Sequence, residues 1–136
     1  MRQFDDLAGH YDELLHDPLR DQFASGSRFF IQQKCRIVAK RLTHLGGGRR
    51  LRVLDAGWGQ GTAFQFLDSS HRVFGCDVSH AMLRQAAARG PVTVQEPLTL
   101  PFADNTFDAS FAFCVYHHIP AADQARHLHE LRRVVR

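Results

Sequence analysis

The chain has 136 residues, 44% of them hydrophobic, 23% charged and 10% aromatic, which fits one globular domain and is too short for two independent cores. Seventeen Lys and Arg against fourteen Asp and Glu leave +3, well short of a nucleic-acid-coating surface, so neither RNA nor DNA is implied as the main partner. No run of eighteen apolar residues occurs and acids interrupt MRQFDDLAGHYDELL at the start; neither a spanning helix, a signal peptide nor a membrane partner is expected, and the default compartment is the cytoplasm.

In chain order, Phe4 to Tyr11 reads as a short helical turn, and Pro18 suits the first turn of a following helix. Ile31, Cys35, Val38, Leu42 and Leu45 recur at steps of four and three, the stripe of one or two helices over about 19–45. Phe23, Phe29 and Phe30 fall in this stretch and are candidates for an acceptor-pocket wall, although aromatic side chains on an apolar face are more ordinarily core. Gly46, Gly47 and Gly48 divide one domain, 1–136, into a helical lead-in, 1–48, and a second part, 49–136.

Beyond the glycines, short apolar runs alternate with polar helical segments. Leu51–Leu54, Val73–Cys76, Val92–Val94 and Ala109–Val115 are the runs, too short for helices. A helix is expected from Thr62 to about Asp68, and a second after a Ser79 cap, running through the Ala86–Ala88 block to Gly90 and Pro91. This rhythm defines an α/β fold with a parallel sheet of about four strands and right-handed crossovers. A last helix from Ala121 carries Ala125, Leu128, Leu131 and Val134 or Val135 at helical spacing. Four strands are fewer than such a domain ordinarily has, so the chain is expected to be incomplete at its C-terminus.

Cys35, Cys76 and Cys114 form no CxxC pair, and His127 and His129 lie two apart on the last helix. Neither a disulfide framework nor a metal site is expected from them, and the histidines read as solvated or singly hydrogen-bonded.

The informative stretch is VLDAGWGQGT, residues 53–62. Gly57, Gly59 and Gly61 permit positive φ and close backbone approach where a strand gives way to a helix. A dinucleotide turn has GxGxxG; here Thr62 takes the last place and the pattern is DxGxGxG. Asp55 at the strand end would repel a phosphate, which favours a phosphate-free ligand. Asp77 ends the second strand, twenty-two residues after Asp55, where a carboxylate accepts hydrogen bonds from ribose hydroxyls; its alternative is a turn aspartate capping the next helix.

DAGWGQG, GCDVS (75–79), LPFADNTFD (100–108) and VYHHIP (115–120), in this order, resemble the class I S-adenosylmethionine-dependent methyltransferases, and among them the small-molecule group that includes the ubiquinone and menaquinone C-methyltransferases. FDDLAGHYDELL near the start is similar to that group's lead-in. The resemblance implies a Rossmann-like sheet of order 3, 2, 1, 4, with further C-terminal strands missing, and S-adenosyl-L-methionine as cofactor. It also implies roles. Gly57, Gly59 and Gly61 would meet the methionine part, Asp55 its amino end and Asp77 the ribose diol. Val78 would cover the adenine, Glu96 would sit near its amino group, and Tyr11 would close over the cofactor. Trp58 stands where a small residue or Cys is usual, either crowding the cofactor or pointing into helix packing. Pro97 stands where a backbone amide commonly meets the ring, and it has no amide hydrogen.

With the later strands missing, Ala109–Val115 would be an unpaired apolar edge, a surface for self-association. Methyl transfer mainly requires nucleophile and methyl carbon held together in a dry pocket. His117 or His118, just past the fourth run, is the candidate base where the acceptor has a proton to lose; otherwise the pair only shapes the helix start before Pro120. Asp104 with Asn105 reads as a turn, and Asp108 as a hydrogen-bonding residue beside the strand. The expected function is methyl transfer to a small, hydrophobic or aromatic acceptor. The alternatives are a truncated fragment that at most binds the cofactor, and a dinucleotide oxidoreductase domain, which Thr62 opposes.

Overall fold

A computed structural model describes residues 27–67 and 69–136. The expected turn at 4–11, Tyr11, Pro18, Phe23 and the first part of the lead-in helix lie outside the described residues.

Helix α1 (Ser27–Gly46) buries Cys35 and Leu42 and half-buries Ile31 and Val38, but Leu45 stays exposed. The apolar stripe therefore ends one turn earlier than its spacing indicates. Phe29 and Phe30 are exposed and stack edge to face on each other, so neither is core. Gly47 and Gly48, at φ 55° and 85°, turn the chain out of the helix, a conformation that costs glycine little.

The sheet has strands β1 (Arg52–Ala56), β2 (Arg72–Asp77), β3 (Val92–Val94) and β4 (Ala109–Phe111), all parallel, in the order β3-β2-β1-β4. β1 is central, pairing Asp55 with Gly75 of β2 and with Phe111 of β4. Such a strand is covered on both faces, so its residues are apolar in succession and not in alternation. Helices α2 (Phe64–Leu67) and α3 (His80–Ala86) form the crossovers, and α4 (Ala121–Val134) follows β4. Cys35, Trp58, Leu67, Val73 and Leu83 pack into one core layer. Leu54, Cys76, Phe107, Leu131 and Val134 pack into another. Successive strand residues thus feed opposite layers, as the pleat requires.

The Ser79 cap stands as expected, its hydroxyl accepting from the Met82 amide at 3.2 Å. Three expectations need correction. The helices after β1 and β2 are shorter than their polar segments. α4 buries His127, Leu131 and Val134, and leaves Leu128 55% exposed; the stripe runs one position over from Ala125 and Leu128. Finally, β4 pairs over only three residues, because Cys114 adopts φ 58° and Tyr116–His118 winds into a 3-10 turn. The long apolar edge expected over Ala109–Val115 is therefore absent, and a short, half-buried edge offers little template for self-association.

Between β1 and β4 the strand order reverses, so the carboxyl ends of the strands open a crevice there. The glycine turn lies on one side and Cys114–Pro120 on the other.

Candidate functional site at the carboxyl edge of the sheet

The turn after β1 is bridged to β2, the Gly57 and Trp58 amides both donating to the Cys76 carbonyl at 2.8 and 2.9 Å. Gly57, Gly59 and Gly61 have φ of 91°, 52° and 70°, so each expected positive-φ position is one. Gly57 and Gly59 line a cavity of about 380 Å³. Gly61 serves differently: a side chain there would run into the Trp58 indole. That indole is 3% exposed and packs on Phe64 and over Gly75. Of the two orientations open to Trp58, the structure has the one into the core, and the turn is not plugged.

Asp77 lines the cavity. Its Oδ2 accepts from the Gly59 amide at 2.8 Å and its Oδ1 from the Ser79 amide at 2.9 Å. One carboxylate thus fixes the glycine turn against the start of α3, and each oxygen keeps a second lone pair for a ligand hydroxyl. Asp55 lies beneath the turn, 3% exposed. Burial, and then the nearby Asp77 charge, push its carboxyl well above the usual carboxylate range. A raised folded-state value means that Asp55 favours folding at low pH and loses that contribution as pH rises through the folded value. An Asp55→Asn chain is accordingly expected to be more stable at pH 8, by about 1–3 kcal/mol. The gain should shrink toward pH 4, a comparison made by urea unfolding of both chains.

Past β3 the expected and observed residues part. Glu96 is exposed, and its carbonyl accepts from the Thr99 amide at 3.3 Å. Its predecessor Gln95 lines the cavity, 6% exposed, with the backbone amide on the Asp77 carbonyl at 3.0 Å and with Oε1 unpartnered among the described residues. Val78 and Leu98 line the same cavity.

On the far wall the paired histidines separate: His118 lines the cavity and His117 does not. Burial, then His117, hold the His118 imidazole below its ordinary value, so it is neutral at pH 7 and able to accept a proton. His127, read from sequence as an ordinary helix residue, also lines the cavity. It is 1% exposed, with Nδ1 3.0 Å from the Tyr116 hydroxyl and Nε2 unpartnered among the described residues. Its i, i+4, i+7 relation to Leu131 and Val134 was the available signal.

Asp104 and Asp108 stand apart from the cavity. Asp104 accepts from Arg133 at 2.8 Å, beside Asn105 at φ 54°. Against burial, which would raise it, the Arg52 amide and the Arg136 guanidinium hold the Asp108 carboxyl below its usual value. No group of three metal-ligating side chains occurs among the described residues.

Among the described residues the cavity lining includes Asp77 and Asp123 but no lysine or arginine. Acids without a countercharge disfavour phosphate, while positive-φ glycines, an acceptor carboxylate and the apolar Val78, Met82 and Leu98 suit a nucleoside. A parallel sheet with this turn and this crevice defines a fold of the Rossmann-like class.

Residues 54–136, more than half of the chain, match the methyltransferase domain family, and the chain belongs to it. The chain is 31% identical over 128 residues to the tRNA (carboxymethyluridine(34)-5-O)-methyltransferase of Arabidopsis thaliana, covering 93% of this chain and 30% of that protein. It is 39% identical over 90 residues to the demethylmenaquinone methyltransferase of Corynebacterium kroppenstedtii, covering 65% and 38%. The chain thus spans about a third of the length of these relatives. Its fold superposes on S-adenosylmethionine-bound CalS10, an amino pentose methyltransferase of Micromonospora echinaspora, with a TM-score of 0.70 at 20% identity, over 78% of this chain and 47% of that one. S-adenosylmethionine, the cofactor expected from the sequence, is the cofactor of this family.

Proposed function

We propose that the chain binds S-adenosylmethionine in the cavity at the strand reversal and takes part in methyl transfer to a small hydrophobic or aromatic acceptor. The observation that carries this reading is the cavity itself, with positive-φ Gly57 and Gly59 on one side and the Asp77 carboxylate on its rim. In it, Gly57 and Gly59 give backbone access to the methionine part, Asp77 accepts from the ribose hydroxyls, and Val78 covers the base. Asp55, once ionised, attracts the ammonium group. When bound, the cofactor supplies a methyl carbon on a sulfonium sulfur, and the chain has to hold an acceptor against it and exclude water. Phe113, Val115 and Ile119 give the opposite wall apolar surface for a hydrophobic acceptor. His118, neutral and at that wall, takes the proton of an acceptor that has one to lose.

A second reading, methylation of a tRNA uridine, is favoured by the Arabidopsis relative and by the tRNA 5-carboxymethoxyuridine methyltransferase of Escherichia coli, 33% identical over 86 residues. Calorimetric titration with S-adenosylhomocysteine, joined to mass-spectrometric detection of product from S-adenosylmethionine, tests both. Product with phenolic or quinol acceptors and none with tRNA supports the first reading, and the reverse supports the second. Binding without product from either favours a cofactor-binding fragment. Absence of binding overturns the proposal.

Asp77→Ala is expected to weaken S-adenosylhomocysteine by about 1.5–3 kcal/mol, the worth of hydrogen bonds to a charged group. Ser79→Ala removes the α3 cap, costing about 1 kcal/mol of stability, and should leave affinity within about twofold. Equal losses in the two variants would mean that Asp77 acts only through the fold.

A further inference from the structure

We propose that the exposed side of α1 is a docking surface for an anionic lipid bilayer, which holds the cavity mouth against the membrane. This surface is independent of the cofactor reading and needs no bound nucleoside.

Charge on the chain is segregated. Residues 28–52 hold eight of the seventeen Lys and Arg and none of the fourteen Asp and Glu. The net +3 therefore averages one wholly basic segment with a remainder that is acidic on balance. Arg36, Lys40 and Arg41 are exposed on α1, and Arg49 and Arg50 follow it, exposed as well. Among the described residues the ion pairs engage Arg133 and Arg136, and none engages a cation of α1. A cluster of this size with no acid to neutralise it is drawn to an anionic surface.

Apolar side chains select the kind of surface. Phe29, Phe30, Ile37 and Leu45 are four of the five exposed large hydrophobic side chains among the described residues. Phe30, Lys34, Ile37 and Arg41 each stand one residue before Ile31, Cys35, Val38 and Leu42 of the core-facing row, and Leu45 continues their spacing. One residue turns a helix by about 100°, so this second row runs along the exposed side, apolar and cationic by turns. A nucleic acid would engage the cations and stack on the phenyl rings but gains nothing from Ile37 and Leu45. A bilayer takes up such side chains below its headgroups, while cationic stems reach back to the phosphates.

The same row reaches the cavity. The Lys34 amine donates to the Cys114 sulfur at 2.9 Å and lies 5.9 Å from the Phe113 ring centre, and both of those residues line the cavity. A bilayer against the row therefore lies beside the cavity mouth. The hydrophobic acceptor proposed above passes from lipid to the apolar wall with little exposure to water. No described helix is long and apolar enough to cross a membrane; α1 lies in the plane of the interface.

The test is sedimentation of the full chain with vesicles, without cofactor. Vesicles of phosphatidylcholine and phosphatidylglycerol in equal parts should carry the chain down, and phosphatidylcholine alone should bind it at least about tenfold more weakly. Arg36→Gln/Lys40→Gln/Arg41→Gln and Ile37→Gln/Leu45→Gln should each lose about tenfold or more for the mixed vesicles. Their affinity for S-adenosylhomocysteine should stay within about twofold of the unaltered chain, since none of these residues lines the cavity. Circular dichroism and urea unfolding check that each variant folds, and the comparison of the two vesicles on the unaltered chain needs no variant. Failure of the mixed vesicles to carry down the unaltered chain overturns the proposal. Vesicle binding unchanged by Ile37→Gln/Leu45→Gln, with tRNA binding lost only in the cation variant, also overturns it and assigns the surface to a nucleic acid. A dimer in gel filtration that Ile37→Gln/Leu45→Gln abolishes, without vesicle binding, overturns it in favour of a second copy of the chain. Failure to bind S-adenosylhomocysteine alone overturns the cofactor reading and leaves the surface assignment standing.

Discussion

A Gly57→Ala chain is expected to lose about 2–4 kcal/mol of stability and most of its affinity for S-adenosylhomocysteine. Two costs combine at this position. With φ at 91°, an L-residue meets a left-handed penalty of roughly 1–2 kcal/mol. The added methyl also runs into the Val115 side chain, and overpacking of this kind costs about 1–3 kcal/mol. Gly59 separates the two costs, because its φ is 52° while nothing among the described residues lies within 4 Å of an added Cβ. Gly59→Ala should therefore bear only the backbone penalty. Urea unfolding of the two variants measures the gap between them, and equal losses would show that contact with Val115 has no part in the effect.

Trp58→Ala is expected to be more damaging still, at about 3–5 kcal/mol, a large part of the roughly 5–15 kcal/mol that holds a typical domain together. The indole fills the space beneath the glycine turn between Gly61 and Gly75, against Phe64. The reciprocal substitution makes the test sharp. In the unaltered chain Gly75→Ala forces a methyl into the indole and destabilises. In the Trp58→Ala background the same methyl enters a void and should be neutral or stabilising. A double-mutant cycle by urea unfolding reads this reversal as a coupling energy; simple additivity would mean that Trp58 and Gly75 do not press on each other.

The strands and the glycine turn were legible because both are local, whereas the order β3-β2-β1-β4 was expected only from the family resemblance. Four short apolar runs separated by polar segments specify parallel pairing, and DxGxGxG at the end of the first run specifies the turn. Ser79 was legible for the same reason, as its hydroxyl caps a helix three residues away. What failed was non-local. Ala109–Val115 is apolar throughout, yet the chain leaves the sheet after Phe111 and turns at Cys114, whose sulfur receives a hydrogen bond at 2.9 Å from Lys34, eighty residues distant. On α4, the spacing of Leu131 and Val134 fits either Ala125 and Leu128 or His127 as the preceding buried position. The placement of the helix over Leu54, Cys76 and Phe107 selects His127. At the end of β3 a single step of alternation separates Gln95 from Glu96, and composition does not say which faces inward. Trp58 had two orientations in the sequence, and the hollow that takes it exists only because residue 75, on the next strand, has no side chain.

That hollow has a practical consequence. The chain has one tryptophan, and it is wedged under the very bend that would touch the cofactor. Its fluorescence is therefore an unlabelled gauge of that bend, sensitive to the shape of the ligand-facing backbone from the side that no ligand reaches.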